Sequence, residues 1–188
     1  MMKHVSRYHP LLVTLHWLLA VLIVAALLVG FFWLAATPNA DAQKIAVLRW
    51  HMAAGMLILA LMVLRFIVRL CTSRPADASA GHPLLDRLAR VSHYGFYVLV
   101  VLMVGTGFAT AILAGLPAIV FGESGDPLPP TFTTYPTRAA HGAIAMILVG
   151  FIALHVLAAL YHHFVMKDGL LRRMVFGRRA PDPSVAAE

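Results

Sequence analysis

Four long apolar segments separated by short polar stretches dominate the chain. Residues 11–36 form an uncharged run of 26 residues, longer than the ~20 that carry an α-helix across the hydrocarbon layer of a bilayer. Residues 50–64 form a second run, which reaches full span over 47–70 if Arg65 and Arg69 extend their charged ends toward the interface. A third helix is expected over 91–114, where Gly115 and Pro117 stop it, and a fourth over the uncharged residues 139–166. The intervening segments carry turn residues: Thr37-Pro38-Asn39 in the first, Pro75, Gly81 and Pro83 in the second, and Pro127, Pro129, Pro130 and Pro136 in the longest. The pattern predicts an all-α, integral-membrane four-helix bundle over residues 1–174 and a basic, disordered tail over 175–188.

Composition excludes the main alternative to a membrane protein. The chain is 61% hydrophobic and 12% charged, with mean hydropathy +0.82, whereas soluble domains average about 45–50% and about 25%. Its single cysteine, Cys71, allows no intrachain disulfide and no paired-cysteine metal or redox motif, and reads as an ordinary apolar residue. A net charge of +7 raises a nucleic-acid partner, but the distribution of the charge argues against it. Lys3, Arg7, Arg65, Arg69, Arg74, Arg87, Arg90, Lys167, Arg172, Arg173, Arg178 and Arg179 fall on one side of the predicted bundle. Only Lys44, Arg49 and Arg138 fall on the other, beside Asp41, Glu123 and Asp126. Cytoplasmic segments carry such an excess, so both termini are expected in the cytoplasm and the protein in a bacterial inner membrane. Ala40-Asp41-Ala42 resembles a signal-peptide cleavage site, but the preceding run exceeds the ~7–15 residues of a signal core, so the first helix is expected to stay in the mature protein.

Ten histidines lie in this apolar chain, and an ionisable residue inside a bilayer needs a partner. His141 and His155 are 14 residues apart, which puts them on one helix face within about 40° and separates their Cα atoms by about 21 Å. They cannot share one metal, but each has a counterpart at its own depth. His51 begins the second helix from the side where His141 lies, and His16 sits early in the first helix at the depth of His155. Two bis-imidazole sites are predicted. Zinc would require further ligands, and no Cys, Asp or Glu lies at either depth, whereas haem brings four nitrogens and asks only for axial ligands. Two imidazoles leave no open axial position, which favours electron transfer.

The remaining features are less specific. Gly55, Gly105, Gly107, Gly142 and Gly150 would admit a flat porphyrin, although small residues also let membrane helices approach one another. Arg49 and Arg138 on one side, and Arg7, Arg65 and Arg69 on the other, would suit haem propionates or simple interfacial anchoring. His4, His9 and His82 are expected to be solvated, and His93 to be interfacial. His162 continues the His155 stripe to the interface, while His163 points elsewhere. A histidine-lined proton or metal transporter is a remaining alternative.

Leu15-His16-Trp17, Trp50-His51 followed by Gly55, His141-Gly142 and Leu154-His155, together with the stretch from Ala159 to Met174, resemble the bacterial cytochrome b561 family over roughly residues 7–174. The resemblance implies that His16, His51, His141 and His155 match the ligand positions of two b haems. It also implies electron transfer to the quinone pool, and the stand-alone length is similar to the branch that oxidises superoxide at the periplasmic face and reduces ubiquinone. Lys44, Arg49 and Arg138 would then steer superoxide, and His93, His162, His163, Lys167 and Asp168 would be candidates for the quinone pocket. Related cytochromes imply another role, as the membrane subunit of a hydrogenase or dehydrogenase partner protein.

Overall fold

The computed structural model describes residues 5–76, 81–122 and 124–179; Lys3, His4, Glu123 and the last eight residues, expected to be disordered, lie outside the described residues. Helix α1 (Pro10–Leu28) runs on as a π-helical turn over Val29–Leu34. It is followed by α2 (Gln43–Cys71), α3 (Pro83–Leu113), a short α4 (Leu116–Val120) and α5 (Pro136–Tyr161), which ends in a second π-helical turn over His162–Met166. A 3₁₀ turn, Leu170–Met174, follows it. Among the described residues no strand forms. The four long elements, α1 with its extension, α2, α3 and α5, are each long and apolar enough to cross a membrane. The protein is an integral membrane protein.

The helix starts differ from the expected ones for a local reason. Helix α3 begins at Pro83 rather than 91, so the second half of the supposed 74–90 loop is helical. His82 caps it, its Nδ1 accepting the Leu84 N–H at 3.2 Å, Pro83 occupies the first turn, where no N–H is needed, and Asp86 complements the helix dipole. The same device opens α1, where His9 Nδ1 accepts from Leu11 N at 3.3 Å ahead of Pro10. His9 and His82 are therefore caps rather than free loop histidines. Helix α2 starts at Gln43, whose N–H is held by Asp41 Oδ1 at 2.8 Å. Gly115, at φ +66°, turns the chain from α3 into α4, a short helix inside the segment expected to be loop.

The helices pack α1 on α2, α2 on α3 and α3 on α5. One buried cluster joins Leu19, Ile58, Met62 and Val100 of α1, α2 and α3. A second, at the α4 end, joins Leu48, Ala111, Ala114, Leu116, Val120 and Leu128. Large apolar side chains such as Phe32, Trp33, Trp50 and Leu154 face outward, as a bilayer solvent permits.

At the opposite end the two chain ends are tied together. Arg7 Nη1 donates to the Val175 and Phe176 carbonyls at 3.0 and 3.1 Å. Arg179 donates to Arg7 O at 3.1 Å and Ser73 O at 2.8 Å, and Trp17 Nε1 donates to Met174 O at 2.9 Å. Residues 175–179 are thus docked rather than disordered, because carbonyls at the end of α2 and in the tail are answered by arginines.

Candidate functional site

The bundle brings the four intramembrane histidines together as two pairs. His51 of α2 faces His141 of α5 with ring centroids 6.4 Å apart and planes inclined by 74°. His16 of α1 faces His155 of α5 at 6.2 Å and 64°. Antiparallel helices explain the matching: His16 lies six residues into α1 from the tail end, and α5 presents His155 on that level. Among the described residues no group of three His, Cys, Asp or Glu side chains is placed to hold a metal ion.

The spacing fits a metal held between two imidazoles. Metal–imidazole bonds are about 2.0–2.1 Å, and with roughly 1.2 Å from bonding nitrogen to ring centre on each side, opposed ligands have centroids about 6.4 Å apart. The surroundings fit a broad flat group as well. A cavity of about 330 Å³, lined by His51, Gly55, Met103, Gly107, Phe108 and His141, opens beside the α4-end pair. A β-carbon on Gly107 would stand 2.9 Å from His141 Cε1, while one on Gly55 would meet nothing within 4 Å. His51 Nδ1 is buried without a hydrogen-bond partner, which an apolar core does not tolerate gratuitously. The backbone of Gly30, in the π-helical turn, lies alongside that ring: a β-carbon there would be 3.7 Å from His51 Cε1.

Sequence reasoning missed how α3 supports this pair. His141 Nδ1 lies 2.9 Å from the Met103 carbonyl and 3.3 Å from Thr106 Oγ1. The carbonyl can only accept, so Nδ1 carries the proton and Nε2 keeps its lone pair. Thr106 hydrogen bonds back into its own helix, to Leu102 O at 2.7 Å. Backbone acceptors on a ligand-free helix leave no signature in the sequence.

At the other pair, His155 is ringed by aromatic edges: Phe96 at 5.4 Å and His93 at 5.9 Å. His93, expected at the interface, is exposed but reaches this pair, its Nδ1 2.6 Å from Ala89 O. His16 packs edge-on against Trp17 at 5.3 Å. Arg65 of α2 donates through Nη1 to Tyr97 OH of α3 at 2.5 Å.

The remaining candidates fall into two groups. His162 Nδ1 pairs with Asp168 Oδ2 at 2.5 Å, while His163 stacks on Phe164 at 4.7 Å and Lys167 is exposed at φ +53°. Burial alone would raise the Asp168 carboxyl; the hydrogen bonds from His162 and the Leu170 N–H, with Arg173 nearby, outweigh it and hold the group below its ordinary range. At the α4 end, Arg49 Nε donates to Val120 O at 2.8 Å and its side chain is exposed. Arg138 lines a cavity with His51 and His141. Lys44 departs from the expectation of a solvent-facing cation: it is buried, its ammonium bonded to the Thr37 carbonyl and 5.8 Å above the Phe132 ring.

Paired histidines at two levels of a four-helix membrane bundle have the build of an integral-membrane electron-transfer protein. A family profile described as prokaryotic cytochrome b561 matches residues 7–177, and the chain belongs to that family. It is therefore a membrane electron-transfer protein of a family that binds haem b. The chain is 29% identical over 185 residues to a protein of Yersinia pestis named probable superoxide oxidase CybB, covering 93% of this chain and 98% of that one. It is 26% identical over 185 residues to cytochrome b561 homolog 2 of Escherichia coli strain K12, covering 96% of each. To cytochrome b561 homolog 1 of the same strain it is 25% identical over 180 residues, covering 93% of this chain and 99% of that one.

Proposed function

We propose that this protein is a di-haem b cytochrome of the bacterial inner membrane that oxidises superoxide at the periplasmic face and reduces ubiquinone near the cytoplasmic face. The observation that carries the reading is the facing of His51 with His141 and of His16 with His155 at nearly one spacing, each pair toward one end of the bundle. Haem b, when bound, supplies a one-electron iron couple. His51 and His141 would hold the iron of one haem, and His16 and His155 that of the other.

The excess of Lys and Arg at the tail end orients that end to the cytoplasm, which makes His51–His141 the periplasmic pair. Arg49 and Arg138 there, with the buried Lys44 at the start of the same helix as Arg49, create a positive field that draws in an anion such as superoxide. Each superoxide gives up one electron and leaves as oxygen; ubiquinone takes two electrons and two protons to become the quinol. On the cytoplasmic side the His162–Asp168 pair, with His93, His163 and Lys167, supplies polar groups for a quinone head and for those protons. The name borne by the Yersinia pestis relative supports superoxide as donor.

Pulse radiolysis tests the reading directly. Superoxide generated around the purified protein is expected to reduce its haems and, with ubiquinone present, to yield quinol. Haems that stay oxidised would overturn superoxide as donor and point to a hydrogenase or dehydrogenase partner. A colourless preparation would point instead to a transporter. His155→Ala is expected to lose one of two haems, and an unchanged haem content would refute the ligand assignment.

A further inference from the structure

Arg65 is a cation inside a membrane span, and its surroundings do not neutralise it. It lies six residues before the end of α2, as His16 lies six residues after the start of the antiparallel α1, so the two share one depth. Among the described residues no carboxylate is within ion-pair distance of Arg65. Its Nη1 is fixed by the Tyr97 hydroxyl, the guanidinium carbon stands 5.7 Å from the centre of the same ring, and Tyr97 is itself braced edge-on by Phe66 at 5.3 Å. Its Nε is buried without a hydrogen-bond partner. Arg65 as a whole is half-buried, and its guanidinium cannot shed its proton to escape the cost of its site. The charge of Arg65 acts on both His16 and His155.

The other cations near the histidines differ. Arg69, one turn closer to the surface, lies over the Tyr94 ring at 6.0 Å. His93 touches His155 but is exposed. Arg138, half-buried as Arg65 is, stands at the start of α5 two residues past Pro136 and acts on the opposite pair, not on this one.

A ferric haem with two neutral imidazoles carries one more positive charge than its ferrous form. A fixed cation nearby therefore disfavours the oxidised form and raises the reduction potential, and the effect is large where the dielectric is low. Resting on the ligand reading above, we infer that Arg65, clamped by Tyr97, is a positioning residue that raises the potential of the His16–His155 haem selectively. This charge-setting role differs from anchoring a propionate, which would neutralise the guanidinium.

The test is a spectroscopic redox titration of the purified holoprotein, wild type against Arg65→Gln, Arg65→Lys and Tyr97→Phe. Arg65→Gln is expected to lower the reduced-to-oxidised ratio of one component at least tenfold, a shift of 59 mV for a one-electron couple, with the other component moving much less. Arg65→Lys should retain most of the wild-type value, and Tyr97→Phe should fall between. The shifted component should be the one that disappears in His155→Ala. Equal shifts of both components, or no shift, with one component still lost in His155→Ala, would overturn the role of Arg65 alone. Loss of a haem from Arg65→Gln and Arg65→Lys without a shift would replace it by propionate anchoring. Retention of both components in His155→Ala would overturn the ligand assignment and the inference with it.

Discussion

Gly107 of α3 lies against the His141 imidazole of α5 so closely that a β-carbon at 107 would be 2.9 Å from Cε1 and 3.2 Å from Nδ1. Neither partner can yield cheaply. The ring is held by the Met103 carbonyl, and α3 and α5 form the most extensive helix contact in the bundle. Gly107→Ala is expected to push the ring off that carbonyl and to cost about 1–3 kcal/mol, the usual penalty of overpacking. Gly105→Ala, where nothing lies within 4 Å, should be neutral or slightly stabilising through helix propensity. Thermal unfolding in detergent and the haem-to-protein ratio read both; equal behaviour of the two variants would show that the close approach is unimportant.

The Met103 carbonyl and the Thr106 hydroxyl share one ring nitrogen, at 2.9 and 3.3 Å. The shorter contact fixes the tautomer, so Thr106→Val is expected to leave haem stoichiometry intact while making the retained haem easier to displace. Outer hydrogen-bond partners of metal ligands commonly affect affinity about 10–100-fold; because the carbonyl remains, the effect should lie at or below the lower end. Competition with apomyoglobin for the haem would measure it, and a complete loss would mean that Thr106 dominates.

These contacts mark where the sequence stops being informative. The four spans were legible because a bilayer demands about 20 apolar residues whatever the neighbours are. The pairs His16/His155 and His51/His141 followed from rise per residue and antiparallel connection, quantities that need no side-chain detail. Helix starts were misjudged where uninterrupted apolarity was the guide: Pro83–Arg90 carries three charged residues yet is helical, and the His-Pro dipeptides at 9–10 and 82–83 were the overlooked signal. The buried Lys44 was misplaced because charge alone does not reveal that Thr37 O waits for it. The docking of residues 175–179 rests on carbonyl acceptors, which every residue possesses.

That docking has a measurable consequence. Arg7 bonds two consecutive tail carbonyls, and its guanidinium packs on Gly177, where a β-carbon would be 2.7 Å from Nη1. Hydrogen bonds to charged groups contribute about 1.5–3 kcal/mol each where water is excluded and less at a surface. Arg7→Ala is expected to release the tail with little change in global stability, and trypsin should then cut at Arg178 or Arg179 several-fold faster. Unchanged cleavage would show that Arg179, through Ser73 O, holds the tail by itself.

The Asp168 carboxylate ties three backbone and side-chain groups at the end of α5: His162 Nδ1 through Oδ2, the Leu170 N–H through Oδ1 at 2.9 Å, and the field of Arg173. The turn it closes places Lys167 and Gly169 at φ +53° and +71°, so the chain there has little stability of its own. Burial works against the charged form, but those partners prevail and the carboxyl lies below its ordinary range. A depressed carboxyl stabilises the fold above its unfolded value, about 3.9, and loses that contribution as pH falls through the lowered folded value. Asp168→Asn should therefore destabilise this corner at pH 5, and the difference from wild type should shrink below about pH 4. Amide hydrogen exchange of residues 169–174, compared between the two proteins across that range, measures it. A gap that persists undiminished in acid would mean that Asp168 acts through its shape and neutral hydrogen bonds, not its charge.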